Sequence, residues 1–457
     1  MRKIDDLKQQ YKDLKRHAED LKNQINEIRH GHIHIPSLNI DYDVPDEIRS
    51  THHWLNRIYI WVGASLLGVA AIVFATLSDE AAGIFYRLYE RYNWAPFVVT
   101  PLGLVGLRYL VTRYFPAAEG SGIPQVIAAL QPDCANADKI LNFKQGVGKI
   151  VGTVMGLLCG ASIGREGPTV QLGAIILKSF GRYLRAPVLY SPRSLILAGG
   201  AAGVSAAFNT PIAGIVFAIE ELGRSFYEKE TSVLLMAIVV SGLTALSISG
   251  QYFYFGVAAA SLSGFGLLYA APVGLVGGAL GGLFSLAVVR GTAKMSSLAG
   301  RKAWIWTLVL AVLIAAIGFF TDGSTFGTGY EEARHLLGHP SGFSVFPFAK
   351  ILATLLSYFL GIPGGIFSPT LSIGAGIGSI MAHLFDTPFY QAFVLLGMVS
   401  FFAGVIRSPI TAVIIVSEMT HNHSLLFPLL LASLASYGTS MLIQRESLYM
   451  ALARRYL

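Results

Sequence analysis

Two stretches of this 457-residue chain carry residues that could do chemistry in apolar surroundings. Gly164-Arg165-Glu166-Gly167-Pro168-Thr169-Val170-Gln171-Leu172-Gly173-Ala174 is echoed by Gly365-Ile366-Phe367-Ser368-Pro369-Thr370-Leu371-Ser372-Ile373-Gly374-Ala375. Each has glycines, then a proline where a helix can begin, then an apolar helix. The first turn of a helix leaves backbone N–H groups without partners and carries the positive end of the helix dipole. Deep in a membrane such an end faces an anion. Glu166 adds a titratable group that the second copy lacks. A carboxylate is stabilised at a helix start, can stand there in an anion's place, and is released when a proton neutralises it. In a bilayer interior it costs ~2.5–3.5 kcal/mol even on the gentler insertion scales, so it needs a reason to be there.

Further residues repeat in the same order. Asn209-Thr210-Pro211-Ile212-Ala213 through Glu220 is echoed by Arg407-Ser408-Pro409-Ile410-Thr411 through Glu418, with identical proline-to-glutamate spacing. Thr210-Pro211, Ser368-Pro369 and Ser408-Pro409 each put a capping hydroxyl before a proline, which predicts hydroxyl-capped helix starts. Glu220 and Glu418 form a matched pair, and their duplication predicts a structural role at helix ends. Glu221 has no counterpart, because Met419 takes that position. A carboxylate that breaks the internal symmetry is the better candidate for function; the alternative is a solvated position at the membrane rim. Lys149 lies in the apolar helix leading to Glu166 and either tunes the potential of an anion path or snorkels to the interface. Arg165 reads as structural or surface-lying, since a full positive charge would trap an ion.

These residues need elements to position them. The chain is 53% hydrophobic and only 13% charged, too apolar for a soluble globule of this length. From about Trp54 onward apolar runs follow one another. Some reach the ~20 residues that cross a bilayer and others are too short, a mixture that favours a transporter or channel over a simple bundle. The echoes divide the chain into a first membrane repeat at 50–250, a connecting segment at 251–270, a second repeat at 271–444 and a C-terminal helix at 445–457. Broken segments at matching places favour inverted repeats with a site at the midplane, although spacing alone does not separate inverted from parallel copies. The net charge of +7 is small for this length and calls for no nucleic-acid partner. Cys134 and Cys159 give no disulfide framework. No metal-ligand motif and no nucleophile–base set falls in the apolar segments, so neither an enzyme, a cofactor nor a metal is expected.

Residues 1–49 form a polar cytoplasmic segment with no signal peptide. Ile4, Leu7, Tyr11, Leu14, Ala18, Leu21, Ile25 and Ile28 keep a strict heptad. The flanking Lys8, Lys15, Lys22 and Arg29 find no attractive partner in a parallel homodimer. The segment therefore either self-pairs or docks on the protein's own cytoplasmic face or on anionic lipid. His30, His32 and His34 read as part of a polar linker. The basic N-terminus and Arg445, Arg454 and Arg455 put both termini in the cytoplasm under the positive-inside rule.

At Gly120-Ser121-Gly122-Ile123-Pro124, Gly164-Arg165-Glu166-Gly167-Pro168 and Gly364-Gly365-Ile366-Phe367-Ser368-Pro369 the chain resembles the CLC family of chloride channels and chloride/proton exchangers. The motifs stand in that family's order and spacing, and the likeness covers essentially everything after about residue 50. The resemblance implies an all-α polytopic membrane protein of CLC type, with two inverted-topology repeats and broken helices. It implies that the Ser121 hydroxyl, the backbone N–H groups of Ile366 and Phe367 and the Tyr449 hydroxyl bind the anion. It implies Glu166 as external gate and proton acceptor, and Glu221 as internal proton-transfer group. The substrates it implies are chloride and protons, exchanged across the inner (plasma) membrane by a homodimer with one pathway per subunit. A passive chloride channel without proton coupling is the alternative. The short stretch after Tyr449 suggests the bacterial type, without cytoplasmic regulatory domains. Serine and tyrosine are small neutral donors that suit a monovalent anion, whereas a phosphate-type site would want more arginine or lysine.

Overall fold

The computed structural model describes residues 51–181, 191–223, 231–250, 255–256, 258, 260–262, 264–340, 342 and 344–457. The N-terminal heptad and its linker lie outside the described residues. The first half of the membrane part contains α1 (Thr51–Arg91), α2 (Pro96–Tyr114), α3 (Ile123–Leu130), α4 (Phe143–Leu158), α5 (Glu166–Phe180), α6 (Pro192–Phe208), α7 (Pro211–Phe217) and α8 (Thr231–Ser249). The second contains α9 (Ala270–Ser296), α10 (Gly300–Phe320), α11 (Tyr330–Gly338), α12 (Phe346–Phe359), α13 (Phe367–Leu384), α14 (Tyr390–Ile406), α15 (Pro409–Thr420) and α16 (Leu426–Ile443), followed by α17 (Leu448–Ala453).

Among the described residues five helices are long and apolar enough to cross a membrane, namely α1, α8, α9, α10 and α16. They expose leucine, valine and tryptophan, for example Leu66, Val69 and Val73 on α1 and Trp306, Val309 and Leu313 on α10. Such faces suit lipid. At 41 residues, α1 is about 60 Å long, twice the ~30 Å hydrocarbon thickness, so it either tilts strongly or projects beyond the bilayer. The interior holds α6, α13 and α14, whose residues are buried almost throughout. Small residues let these helices approach closely. Gly173 packs on Gly199 between α5 and α6, and Gly374 packs on Gly397 between α13 and α14; a Cβ on any of the four would strike the partner's backbone.

The two halves are inverted. The equivalent residues Gly164 and Gly365 form an antiparallel bridge, in which each N–H donates to the other's carbonyl, at 2.7 and 2.6 Å. Equivalent residues that exchange bonds in opposite directions lie on a local two-fold axis. The glutamate pair repeats this relation. Glu220 accepts from the Thr411 N–H at 2.7 Å, and Glu418 accepts from the Ala213 N–H at 3.0 Å. Each half thus caps the first turn of α15 or α7 in the other half. The expected hydroxyl caps do not form: neither Thr210 nor Ser408 caps its own helix, and Ser368 lies inside α13. The glutamates from the opposite half already hold those N–H groups.

Candidate functional site

The three motif loops meet through their backbones. Gly120 donates to Ile362 at 3.1 Å and accepts from Gly364 at 3.0 Å, beside the Gly164–Gly365 bridge. The loop turns sharply through Gly120 and Gly122, at φ 67° and 107°, a region that favours glycine. Gly122 is also pressed against α5, since a Cβ there would lie 2.8 Å from the Gly167 carbonyl oxygen. Between the two glycines Ser121 is buried. Among the described residues its hydroxyl makes no close hydrogen bond to any group but the neighbouring Tyr449.

Tyr449, on α17, is buried and its ring centroid lies 5.9 Å from that of Phe367. Its hydroxyl lies beside that of Ser121, and among the described residues it makes no close hydrogen bond to any other group. In α13 the first ladder bond runs from the Thr370 N–H to the Ile366 carbonyl, at 2.9 Å. The Ile366 and Phe367 N–H groups precede that ladder and are not used by it. A buried polar group left unbonded costs ~1–3 kcal/mol. Two such hydroxyls beside a helix start therefore form a donor set suited to an anion, with no full positive charge to trap it.

Glu166 opens α5 and is buried. One carboxylate oxygen accepts from the Tyr330 hydroxyl at 2.7 Å. The other accepts from the Ser368 hydroxyl at 3.1 Å and the Ser368 N–H at 3.4 Å. The carboxylate thus sits on the first turn of α13, one residue from Phe367. Arg165 does not face this site as a ligand. It pairs with Asp79, donates to the Ala75 carbonyl at 2.7 Å and lies over the Tyr330 ring at 5.9 Å.

Glu221 is buried, not solvated at a rim. It accepts from the Ser408 hydroxyl at 2.8 Å. The chain reaches it through a π-helical turn over Ala218–Leu222, whereas its counterpart in the second half continues as regular α-helix. A π turn rotates side chains relative to the α ladder and is frequent at functional sites. Lys149 is also fully buried, so it does not snorkel. Its ammonium donates to the carbonyls of Gly120 at 2.9 Å and Glu119 at 3.3 Å, directly before Ser121.

The family model described as voltage gated chloride channel matches residues 102–441. The chain belongs to the voltage-gated chloride channel family. It is a multi-pass membrane protein with that family's fold. A solved structure described as a slow cyanobacterial Cl−/H+ antiporter is similar over 88% of this chain and 97% of its own, at a TM-score of 0.77 and 23% identity. One described as a CLC-type fluoride/proton antiporter matches over 88% and 98%, at 0.75 and 22%. A eukaryotic CLC transporter matches over 89% and 75%, at 0.71 and 21%.

Two buried residues of this arrangement were not anticipated from the sequence. Tyr330 bonds Glu166, and Lys350 is buried like Lys149, donating to the carbonyls of Thr325, Phe326 and Gly327 at 2.9, 3.1 and 3.0 Å. A signal was present. Gly327-Thr328-Gly329-Tyr330 echoes Gly120-Ser121-Gly122-Ile123, and Lys350 stands as far before Phe367 as Lys149 stands before Glu166.

Proposed function

We propose that the protein is a secondary active transporter that exchanges chloride, or a similar monovalent anion, for protons, with Glu166 as the external gate and Glu221 as the internal proton-transfer group. The observation that carries this reading is the seat of Glu166. Its carboxylate rests on the α13 helix start, with the paired, buried hydroxyls of Ser121 and Tyr449 nearby. An anion held by Ser121, Tyr449 and the N–H groups of Ile366 and Phe367 competes with that carboxylate for one patch of positive potential. Protonation neutralises Glu166 and lets it leave, and the anion moves through. A proton delivered by Glu221 from the inside completes the exchange. Glu221 supports coupled exchange over passive conduction, because a buried carboxylate that breaks the repeat symmetry serves no purpose in a simple anion pore. The antiporter descriptions of two similar structures lend support. The same reading takes the protein as a homodimer in the inner (plasma) membrane with both termini cytoplasmic, in keeping with the basic residues near each end.

The test is the reversal potential in proteoliposomes under crossed chloride and proton gradients. The expected value lies between the two single-ion equilibrium potentials and moves when only the proton gradient is changed. A value that follows chloride alone would make the protein a passive channel.

A further inference from the structure

The loops that precede α3 and α11 are two copies of one device. Gly120 and Gly327 have φ of 67° and 63°, and Gly122 and Gly329 have φ of 107° and 84°. Each loop is clasped by a buried lysine on the helix that leads to α5 or α13. Lys149 holds the carbonyls of Glu119 and Gly120, and Lys350 holds those of Thr325, Phe326 and Gly327. The ammonium groups fix their loops through charge-assisted bonds, among the stronger hydrogen bonds in proteins. In the first copy the fixed loop presents the Ser121 hydroxyl. In the second it presents Tyr330, the first residue of α11.

We propose that Tyr330 is a positioning residue for the gate, holding the Glu166 carboxylate on the α13 start and so setting how strongly it competes with the anion. This rests on the reading of Glu166 as the gate. Two neighbours fix the Tyr330 ring: Phe255, with centroids 5.4 Å apart, and the Arg165 guanidinium over its face. The hydroxyl donates to Glu166 at 2.7 Å, while Ser368 holds the other oxygen. A donor bonded to a carboxylate stabilises that carboxylate's seated, charged form. Anion affinity falls in proportion to the occupancy of the seat, because only the vacated state leaves the α13 start to the anion. Tyr330 thus lowers apparent chloride affinity by favouring the seated carboxylate.

The experiment is a double-mutant cycle on chloride binding, measured by isothermal titration calorimetry on purified full-length protein at mildly alkaline pH. Tyr330→Phe keeps the ring against Phe255 and Arg165 and removes only the donor. It is expected to tighten chloride binding, on the order of tenfold for the loss of one charge-assisted hydrogen bond. In a Glu166→Ala background the same substitution is expected to change nothing, because the group it positions is gone. An equal change in both backgrounds would make Tyr330 a structural residue, and no change with Glu166 intact would overturn the inference outright. Failure of the underlying reading is separately visible. In that case Glu166→Ala alone leaves both chloride affinity and proton coupling as they were, whatever Tyr330→Phe does. Lys350→Met offers a second arm. Loosening the loop behind Tyr330 should tighten chloride in the Glu166-containing protein and not in Glu166→Ala.

Discussion

Glu166 is a buried carboxylate satisfied by three donors, the hydroxyls of Tyr330 and Ser368 and the Ser368 N–H. Glu166→Gln keeps the size and removes the charge. Anion flux is therefore expected to persist while its dependence on the proton gradient disappears, measured as chloride efflux with and without an imposed pH difference. Loss of all flux in Glu166→Ala would argue against a gate. Glu221 accepts from the Ser408 hydroxyl. Glu221→Gln should leave chloride affinity within about twofold of wild type, well under the tenfold that 1.4 kcal/mol represents, and abolish chloride uptake driven by a proton gradient. Glu166 stood out in the sequence as a carboxylate at a helix start, whereas Ser121 and Phe367 were singled out by the family resemblance of their motifs. Tyr330 was not, because a tyrosine after Gly-Thr-Gly carries meaning only once the α11 and α13 starts are known to converge on Glu166. The burial of Glu221 was equally hidden, since it follows from a π turn that apolar periodicity does not announce.

Between elements, the strongest statement of the repeat is the exchange of caps. Glu220 takes both the N–H and the hydroxyl of Thr411, each at 2.7 Å, and the Ile410 N–H at 3.1 Å. Glu418 takes the Ala213 N–H at 3.0 Å. A carboxylate at a helix start gains from the dipole as well as from the bonds, and losing a cap costs ~0.5–2 kcal/mol. Glu220→Gln and Glu418→Gln should both lower the melting temperature in detergent, Glu220→Gln by more because more donors depend on it. Exchange per folded protein should be unchanged, as both groups are engaged at helix starts. Loss of proton coupling in Glu220→Gln would instead mean that it shares the role proposed for Glu221. Matched proline-to-glutamate spacing made a helix-end role readable, but not which helix each glutamate caps. The local rule pointed to Thr210 and Ser408, and the partner half supplied the cap instead.

At the scale of the whole molecule, two halves were legible from the echoes, while the two-fold relation between them rests on the antiparallel pairing of Gly164 with Gly365, a contact between residues distant in sequence. That axis runs through the site. It brings equivalent helix starts face to face, and the departures from symmetry, Glu166 against Phe367 and Glu221 against Met419, are the residues to which transport is attributed. All of this machinery lies after residue 100, and the family match spans 102–441. The N-terminal heptad precedes that span in the sequence and lies outside the described residues. Removing residues 1–45 is therefore expected to leave the reversal potential under crossed gradients unchanged, and to act only on assembly or membrane association, read by sedimentation of the protein in detergent and by binding of the isolated segment to anionic vesicles. A sedimentation mass that halves on truncation would favour self-pairing, and vesicle binding by the segment alone would favour lipid. A reversal potential that shifts on truncation would instead make the heptad part of the gating machinery.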